Sequence, residues 1–180
     1  MLRIISGKYR NRKIEQPPLE TSRPTMDKVK ESIFSSIQFK IVDKTFLDLF
    51  SGSGSMAIEA VSRGASSVTL LELNNVAFNI IKKNISSLKI DNINAIKKDS
   101  LLFLQNTNET FDFVFIDAPY ANYALLNDSL KLIAKRNILN EDGEIIVETN
   151  KVSEVIIPEG LRVFKSKRYG KVDILYITHE

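Results

Sequence analysis

The sequence predicts an α/β protein built on a doubly wound, mostly parallel sheet of seven strands, with a small basic extension at its N-terminus. Three observations predict it. From Lys44 onward, apolar runs of strand length alternate with segments of helical periodicity. One run, Phe111 to Ile116, is uninterrupted, as expected of a central parallel strand covered on both faces. The last two runs are joined by the short link Lys167-Arg168-Tyr169-Gly170, which points to an antiparallel hairpin closing the sheet.

The elements follow in order. Arg3-Ile4-Ile5-Ser6-Gly7 and Lys8 to Ile14 read as two basic strands about a glycine turn, and Gln16-Pro17-Pro18 and Ser22-Arg23-Pro24 punctuate a linker. Val29, Ile33, Phe34 and Ile37 recur at helical spacing, so a helix is predicted over 26–38. Thr45 to Phe50 reads as the first strand of the sheet, Ser55 to Ser62 as a helix and Ser67 to Leu73 as the second strand. Val76, Ile80, Ile81, Ile85 and Leu88 mark a longer amphipathic helix. Asn92 to Lys97 is a weaker third strand, and Leu101 to Gln105 a short helix. After Phe111 to Ile116 come a helix at Leu125 to Ile133 and a fifth strand at Glu144 to Glu148. Leu161 to Lys165 and Val172 to Thr178 complete the set. The organisation divides into an extension over residues 1–40 and a main domain over 41–180.

Composition excludes several chemistries. A chain of 180 residues supports one well-filled core, and 43% hydrophobic with 26% charged residues is a globular balance. There is no cysteine, which removes disulfides, thiolate metal sites and cysteine nucleophiles. The single histidine, His179, leaves no histidine-based triad and no zinc site, so no metal is expected. No apolar segment has signal-peptide or membrane-spanning length, and a cytoplasmic protein with no membrane partner is expected, as a monomer. The net charge of +3 is unevenly spread: residues 1–40 hold nine basic against four acidic side chains, and 41–160 hold eleven against sixteen. Residues 161–171 add Arg162, Lys165, Lys167, Arg168 and Lys171 with no acid. Basic ends around an acidic middle suit a polyanionic partner, since each cation near a phosphate releases condensed counterions.

In open α/β sheets ligands bind beyond the carboxyl ends of the strands. The first strand ends in Asp48-Leu49-Phe50-Ser51-Gly52-Ser53-Gly54, whose glycines permit a tight turn and close backbone approach. The second ends in Leu71-Glu72-Leu73, and an acid there can accept both hydroxyls of a ribose. Gly52-x-Gly54-x-x-Ala57 also fits a dinucleotide fingerprint, which brings NAD into consideration. Asp48 favours S-adenosylmethionine instead. An acid inside the strand end suits cationic amino and sulfonium groups, whereas a pyrophosphate would seek a helix N-terminus. Asp99, followed by Ser100, either accepts from the adenine amino group or caps the next helix. Asp48, Phe50, Gly52, Gly54, Glu72, Leu73, Asp99 and Ser100 form the candidate cofactor set.

The fourth strand runs into Asp117-Ala118-Pro119-Tyr120, which resembles the Asp/Asn-Pro-Pro-aromatic signature of methyltransferases acting on exocyclic amines of bases. Such an amine is a poor nucleophile because its lone pair is delocalised into the ring. A carboxylate and a backbone carbonyl that accept its two hydrogens return density to nitrogen and aim it at the methyl carbon. Asp117 can then take the proton, and Tyr120 can stack on a base turned out of its strand. Ala118 stands where the signature has its first proline, but Pro119 still biases that residue to extended geometry and so keeps its carbonyl direction.

With these residues together, the chain resembles the bacterial 16S rRNA guanine-N2 methyltransferase family that acts on the small-subunit head. The likeness runs through the basic opening at Arg3 to Lys13, the Arg23-Pro24-Thr25-Met26 helix entry, the cofactor loop at Leu47 to Gly54, Ser62-Arg63-Gly64-Ala65 and Tyr169-Gly170. The resemblance implies a Rossmann-like class I methyltransferase that uses S-adenosylmethionine, releases S-adenosylhomocysteine and acts on 16S rRNA in the small subunit or its assembly intermediate. Arg3, Lys8, Arg10, Arg12, Lys13 and Arg23 would contact phosphates, and Tyr9 would stack on a base or pack as a strand residue. The same chemistry on DNA adenine N6, cytosine N4 or another RNA guanine is the nearest rival. An NAD-dependent oxidoreductase and a non-catalytic RNA-binding module are further ones.

Overall fold

The computed structural model describes residues 1–18 and 27–180, which pack as two compact units, Met1–Lys98 and Asp99–Glu180. Seven of the nine described strands belong to a mostly parallel sheet, in the order β5-β4-β3 within the first unit and β6-β7-β9-β8 within the second.

In the first unit, β1 (Leu2–Arg3) and β2 (Lys13–Ile14) form a two-stranded antiparallel ladder, followed by α1 (Asp27–Ile37). Then come β3 (Thr45–Asp48), α2 (Ser55–Ser62), β4 (Ser67–Leu71), α3 (Asn75–Ser87) and β5 (Ile93–Ile96). β3 pairs in parallel with β4, which pairs in parallel with β5. The predicted apolar face of α1 is buried through Val29, Ile33, Phe34 and Ile37, with Lys30 buried among them. Every residue of α2 is buried, so this short helix is wrapped on all sides.

The predicted N-terminal hairpin is corrected in extent. Arg3 to Gly7 and Lys8 to Ile14 form a hairpin whose ladder is only two residues long on each strand. The intervening backbone bonds to α2 instead. Ile5 and Ser6 amides donate to the Glu59 carboxylate at 2.9 and 3.1 Å, and the Lys8 amide donates to the Ser62 carbonyl at 2.8 Å. Gly7 makes this approach possible: a Cβ there would lie 1.9 Å from the Ser62 carbonyl oxygen, and its φ is +90°.

The second unit holds α4 (Ser100–Asn106), β6 (Phe111–Ile116), α5 (Tyr123–Lys135), β7 (Leu139–Thr149), β8 (Leu161–Tyr169) and β9 (Val172–His179). β6 and β7 are parallel, and β9 is antiparallel to both β7 and β8, which gives the closing hairpin expected of the tail. β7 starts earlier than the predicted Glu144. Its register against β6 slips between Phe111 and Phe113, so that Asn140 to Gly143 bulge out of a continuing strand. Gly143 is forced by that bulge, because a Cβ would lie 2.8 Å from the carbonyl oxygens of Asn140 and Asp112. No described helix is long and apolar enough to cross a membrane.

Candidate active site

β3 delivers Asp48 at its last position, buried at 1% exposure. Neither carboxylate oxygen has a hydrogen-bond partner among the described residues. Burial drives its pKa up from 3.8 to about 7; the Ser51 hydroxyl and the Phe50 amide lie near enough to oppose the rise, and the Glu72 charge adds to it. Directly after Asp48 the chain turns through Gly52 and Gly54, with φ values of +57° and +80°. A Cβ on Gly54 would press on the Ile81 side chain at 3.3 Å, and its left-handed backbone strains any other residue.

Glu72 follows the end of β4 and fastens this loop. Its Oε1 accepts from the Gly52 amide at 2.8 Å and its Oε2 from the Asn74 amide at 2.9 Å. Each oxygen keeps a second lone pair for a ligand hydroxyl. Phe50 is half-buried beside the loop, and Leu73 presents an apolar side chain at 58% exposure. Thus Asp48, Phe50, Gly52, Gly54, Glu72 and Leu73 all lie at the carboxyl ends of β3 and β4.

Two buried polar residues missed by the sequence reading brace the loop from behind. Lys30 Nζ donates to Ser55 Oγ at 2.9 Å and to the Arg3 carbonyl at 3.0 Å, and lies 3.5 Å from Glu59 Oε1. Burial pulls its pKa below the usual lysine value, while Glu59 and Asp27 act the other way. Asn84 on α3 donates to the Ser53 carbonyl at 3.2 Å and exchanges two hydrogen bonds with the Glu15 backbone. For Lys30 the lone acid Glu59, within the apolar stretch Met56 to Val61, hinted at a buried counter-charge, but not at which cation would meet it.

In the second unit, Asp99 is the N-cap of α4: its Oδ1 accepts from the Leu102 amide at 3.0 Å. The capping role is thus observed, and Ser100 behind it is buried. Asp117-Ala118-Pro119-Tyr120 leaves the end of β6, with Asp117 and Tyr120 half-buried, Ala118 buried and Pro119 exposed. The Asn122 amide donates to the Pro119 carbonyl at 2.9 Å, and Asn122 Oδ1 caps α5 through the Leu125 amide, so the loop is tied to the helix that follows.

Arg3, Lys8, Arg10, Arg12 and Lys13 are all exposed, with Arg3 loosely paired to Asp27 at 3.9 Å. The Lys8 ammonium lies over the Tyr9 ring, 5.4 Å from its centroid. Arg23 and the Arg-Pro-Thr-Met entry lie outside the described residues.

Comparison with known proteins places these features in context. A family model described as conserved hypothetical protein 95 matches residues 2–178. A relative from Haemophilus influenzae named ribosomal RNA small subunit methyltransferase D is 39% identical and covers 95% of this chain and 90% of its own. Its namesake from Escherichia coli is 31% identical and covers 95% of this chain and 86% of its own. A solved structure of a candidate methyltransferase from Escherichia coli superposes with a TM-score of 0.89 at 32% identity, covering 99% of this chain and 98% of that one.

Proposed function

The chain belongs to the family described as conserved hypothetical protein 95, and from that premise we propose that it transfers a methyl group from S-adenosylmethionine to the exocyclic N2 of one guanine in 16S ribosomal RNA. The relatives named as small-subunit ribosomal RNA methyltransferases support the coarser part of this reading. The observation that carries it is the Asp48 carboxylate, buried at a strand end with no hydrogen-bond partner among the described residues. A buried carboxylate without donors costs several kcal/mol, on the order of 1–3 even for a neutral polar group. A cationic ligand removes that cost, and the amino and sulfonium groups of the cofactor are such cations. The rest of the set is assigned with it. Glu72 accepts from ribose hydroxyls, Leu73 and Phe50 offer apolar surface to adenine, and Asp99 keeps a carboxylate oxygen for its amino group beside Ser100.

When bound, S-adenosylmethionine supplies an electrophilic methyl group on a cationic sulfur, and it leaves as S-adenosylhomocysteine. Asp117 and the Ala118 carbonyl accept the two hydrogens of the guanine amine, which localises the nitrogen lone pair and fixes its direction. Held in this way, the amine nitrogen would be aligned for displacement at the methyl carbon, with the electron pair of the broken carbon–sulfur bond going to the departing sulfur. Asp117 takes the proton that the now cationic nitrogen must lose. Tyr120 stacks on the extruded base, and Pro119 holds the carbonyl in extended geometry. The exposed cations of residues 1–40, Arg3, Lys8, Arg10, Arg12 and Lys13 with Arg23, contact phosphates and supply affinity without sequence information.

Small subunits from a strain lacking this gene, incubated with the pure protein and methyl-labelled cofactor, test the reading. The expected product is N2-methylguanine in 16S RNA, and Asp117→Ala should lower the rate by at least about a hundredfold. Label on adenine, or full activity in Asp117→Ala, overturns it.

A further inference from the structure

A second buried carboxylate lies outside the machinery described above. Glu148, on the last turn of pleat in β7, is 5% exposed, and its Oε2 has no hydrogen-bond partner among the described residues. Its neighbours account for the burial. β7 runs between β6 and β9, with Glu148 opposite Ile174 of β9, and Thr149 beyond it is also buried. On the other side, the parallel register pairs Ile116 with Val147. The next residue on β6's side is Asp117 and on β7's side is Glu148. Side chains alternate along a strand, so the register that aligns Phe115 with Ile146 carries Asp117 and Glu148 onto a common face two residues later. Asp117 thus follows the last residue of β6 directly and Glu148 is the penultimate residue of the adjacent parallel strand β7, where it holds an unused acceptor away from water. Natural interiors rarely leave such an acceptor unmatched, so each one calls for an explanation, and a catalytic or ligand-binding role is among them.

We propose that Glu148 reads the target base by accepting the ring N1–H of guanine, beside the exocyclic amine that Asp117 holds. This inference rests on the function proposed above and names how that site selects its base. The Watson–Crick edge of guanine presents N1–H and N2–H2 as neighbouring donors. Adenine presents a lone pair at N1, which a carboxylate would repel. A pair of acceptors on adjacent strands thus matches guanine and rejects adenine without any cation in the pocket. A carboxylate on N1–H also pushes electron density through C2 into N2, in the sense that favours attack on the methyl group. Asp117 alone does not discriminate in this way, because every exocyclic amine offers two hydrogens.

The test uses the full chain and small subunits reconstituted with RNA carrying either guanine or 2-aminopurine at the modified position. 2-Aminopurine keeps the reacting amine but lacks N1–H. The wild type should prefer guanine by about tenfold or more in kcat/KM, the scale of one buried hydrogen bond to a charged group. Glu148→Gln, whose amide N–H can donate to the bare ring nitrogen, should lose most of that preference by slowing on guanine and gaining on 2-aminopurine. Its affinity for S-adenosylhomocysteine should match the wild type, which reports an intact fold. Equal rates on the two bases in the wild type overturn the inference even if the variant does not fold. An unchanged preference in Glu148→Gln overturns it as well. A wild type that labels no guanine at all would instead sink the underlying function, a result distinguishable from both.

Discussion

Two carboxylates in the first unit are buried to nearly the same degree, Asp48 at 1% and Glu59 at 0% exposure, yet their surroundings are opposite. Glu59 accepts from the Ile5 and Ser6 amides and from Arg63 Nε at 2.8 Å, with the Lys30 ammonium 3.5 Å away. Asp48 has no such partner among the described residues. Burial by itself therefore says nothing of function; what distinguishes the two acids is whether the chain supplies the counter-groups. Glu59 clamps the N-terminal segment against α2, and its charge is consumed by the fold. Asp48 is left with its charge uncompensated, and burial pushes its pKa up to about 7. The first acid is matched by groups the fold supplies, while the second is the one to which the proposed function assigns a cationic ligand.

The largest effect should come from breaking the satisfied site. Glu59→Ala strands the Lys30 ammonium, the Arg63 guanidinium and two amides, and removing one partner from a buried pair costs about 3–5 kcal/mol. For a chain of this size the melting temperature should fall by about 6 °C or more in a thermal unfolding scan. A loss under about 1 kcal/mol would mean that the clamp contributes little.

The unsatisfied site should respond in the reverse sense. Folding raises the Asp48 carboxyl from 3.8 to about 7, so between those values the native protein keeps a proton that the unfolded chain has released. Its contribution to stability is thus lost as the pH rises from about 4 to about 7, and is level above that. Asp48→Asn should remove this contribution, so the variant gains on the wild type across that window in parallel denaturant titrations. The same change should weaken cofactor binding by tenfold or more, on the order of one charge-assisted contact. Wild-type affinity for the cofactor should fall as the pH drops below about 7, since the cation selects the ionised acid. A variant that is both less stable at pH 8 and unimpaired in binding would erase the contrast between the two acids.

The smallest change in stability should follow from the exposed rim of the clamped segment. Arg10 and Arg12 carry no buried contact of this kind, so replacing both by alanine should shift stability by no more than about 0.5 kcal/mol. The slope of log affinity for RNA against log salt should nevertheless drop by about 2, one for each phosphate contact removed. An unchanged slope would take the segment out of the RNA interface.

Local pattern reached some elements fully and others in part. Ser55–Ser62 and Phe111–Ile116 fall on the expected residues, because one is a continuous helix-forming run after a glycine turn and the other an unbroken apolar strand. The N-terminal hairpin came out shorter and β7 longer. In both cases the backbone partner is remote: residues 5–9 bond to Glu59 and Ser62, and Asn140 to Gly143 bulge against β6. No periodicity records where a strand's hydrogen bonds go once a side chain more than fifty positions away competes for them. Asp48, Gly52, Gly54 and Glu72 were legible as a constellation because they sit at strand ends with fixed spacing. That Glu72 would spend one lone pair of each oxygen on the Gly52 and Asn74 amides was not.

The order of strands and helices, the glycine turn after the first sheet strand, and the types of residue at each strand end were determined by the sequence itself, because alternation of apolar and polar positions and backbone permissiveness act over a few neighbours. Which acids would be matched and which left bare was decided only by tertiary structure. Lys30, Asn84, Glu59 and Glu148 are ordinary polar letters in the chain. Their meaning comes from packing, which sets the local dielectric and brings, or fails to bring, donors from distant segments within 3 Å or so of a buried oxygen.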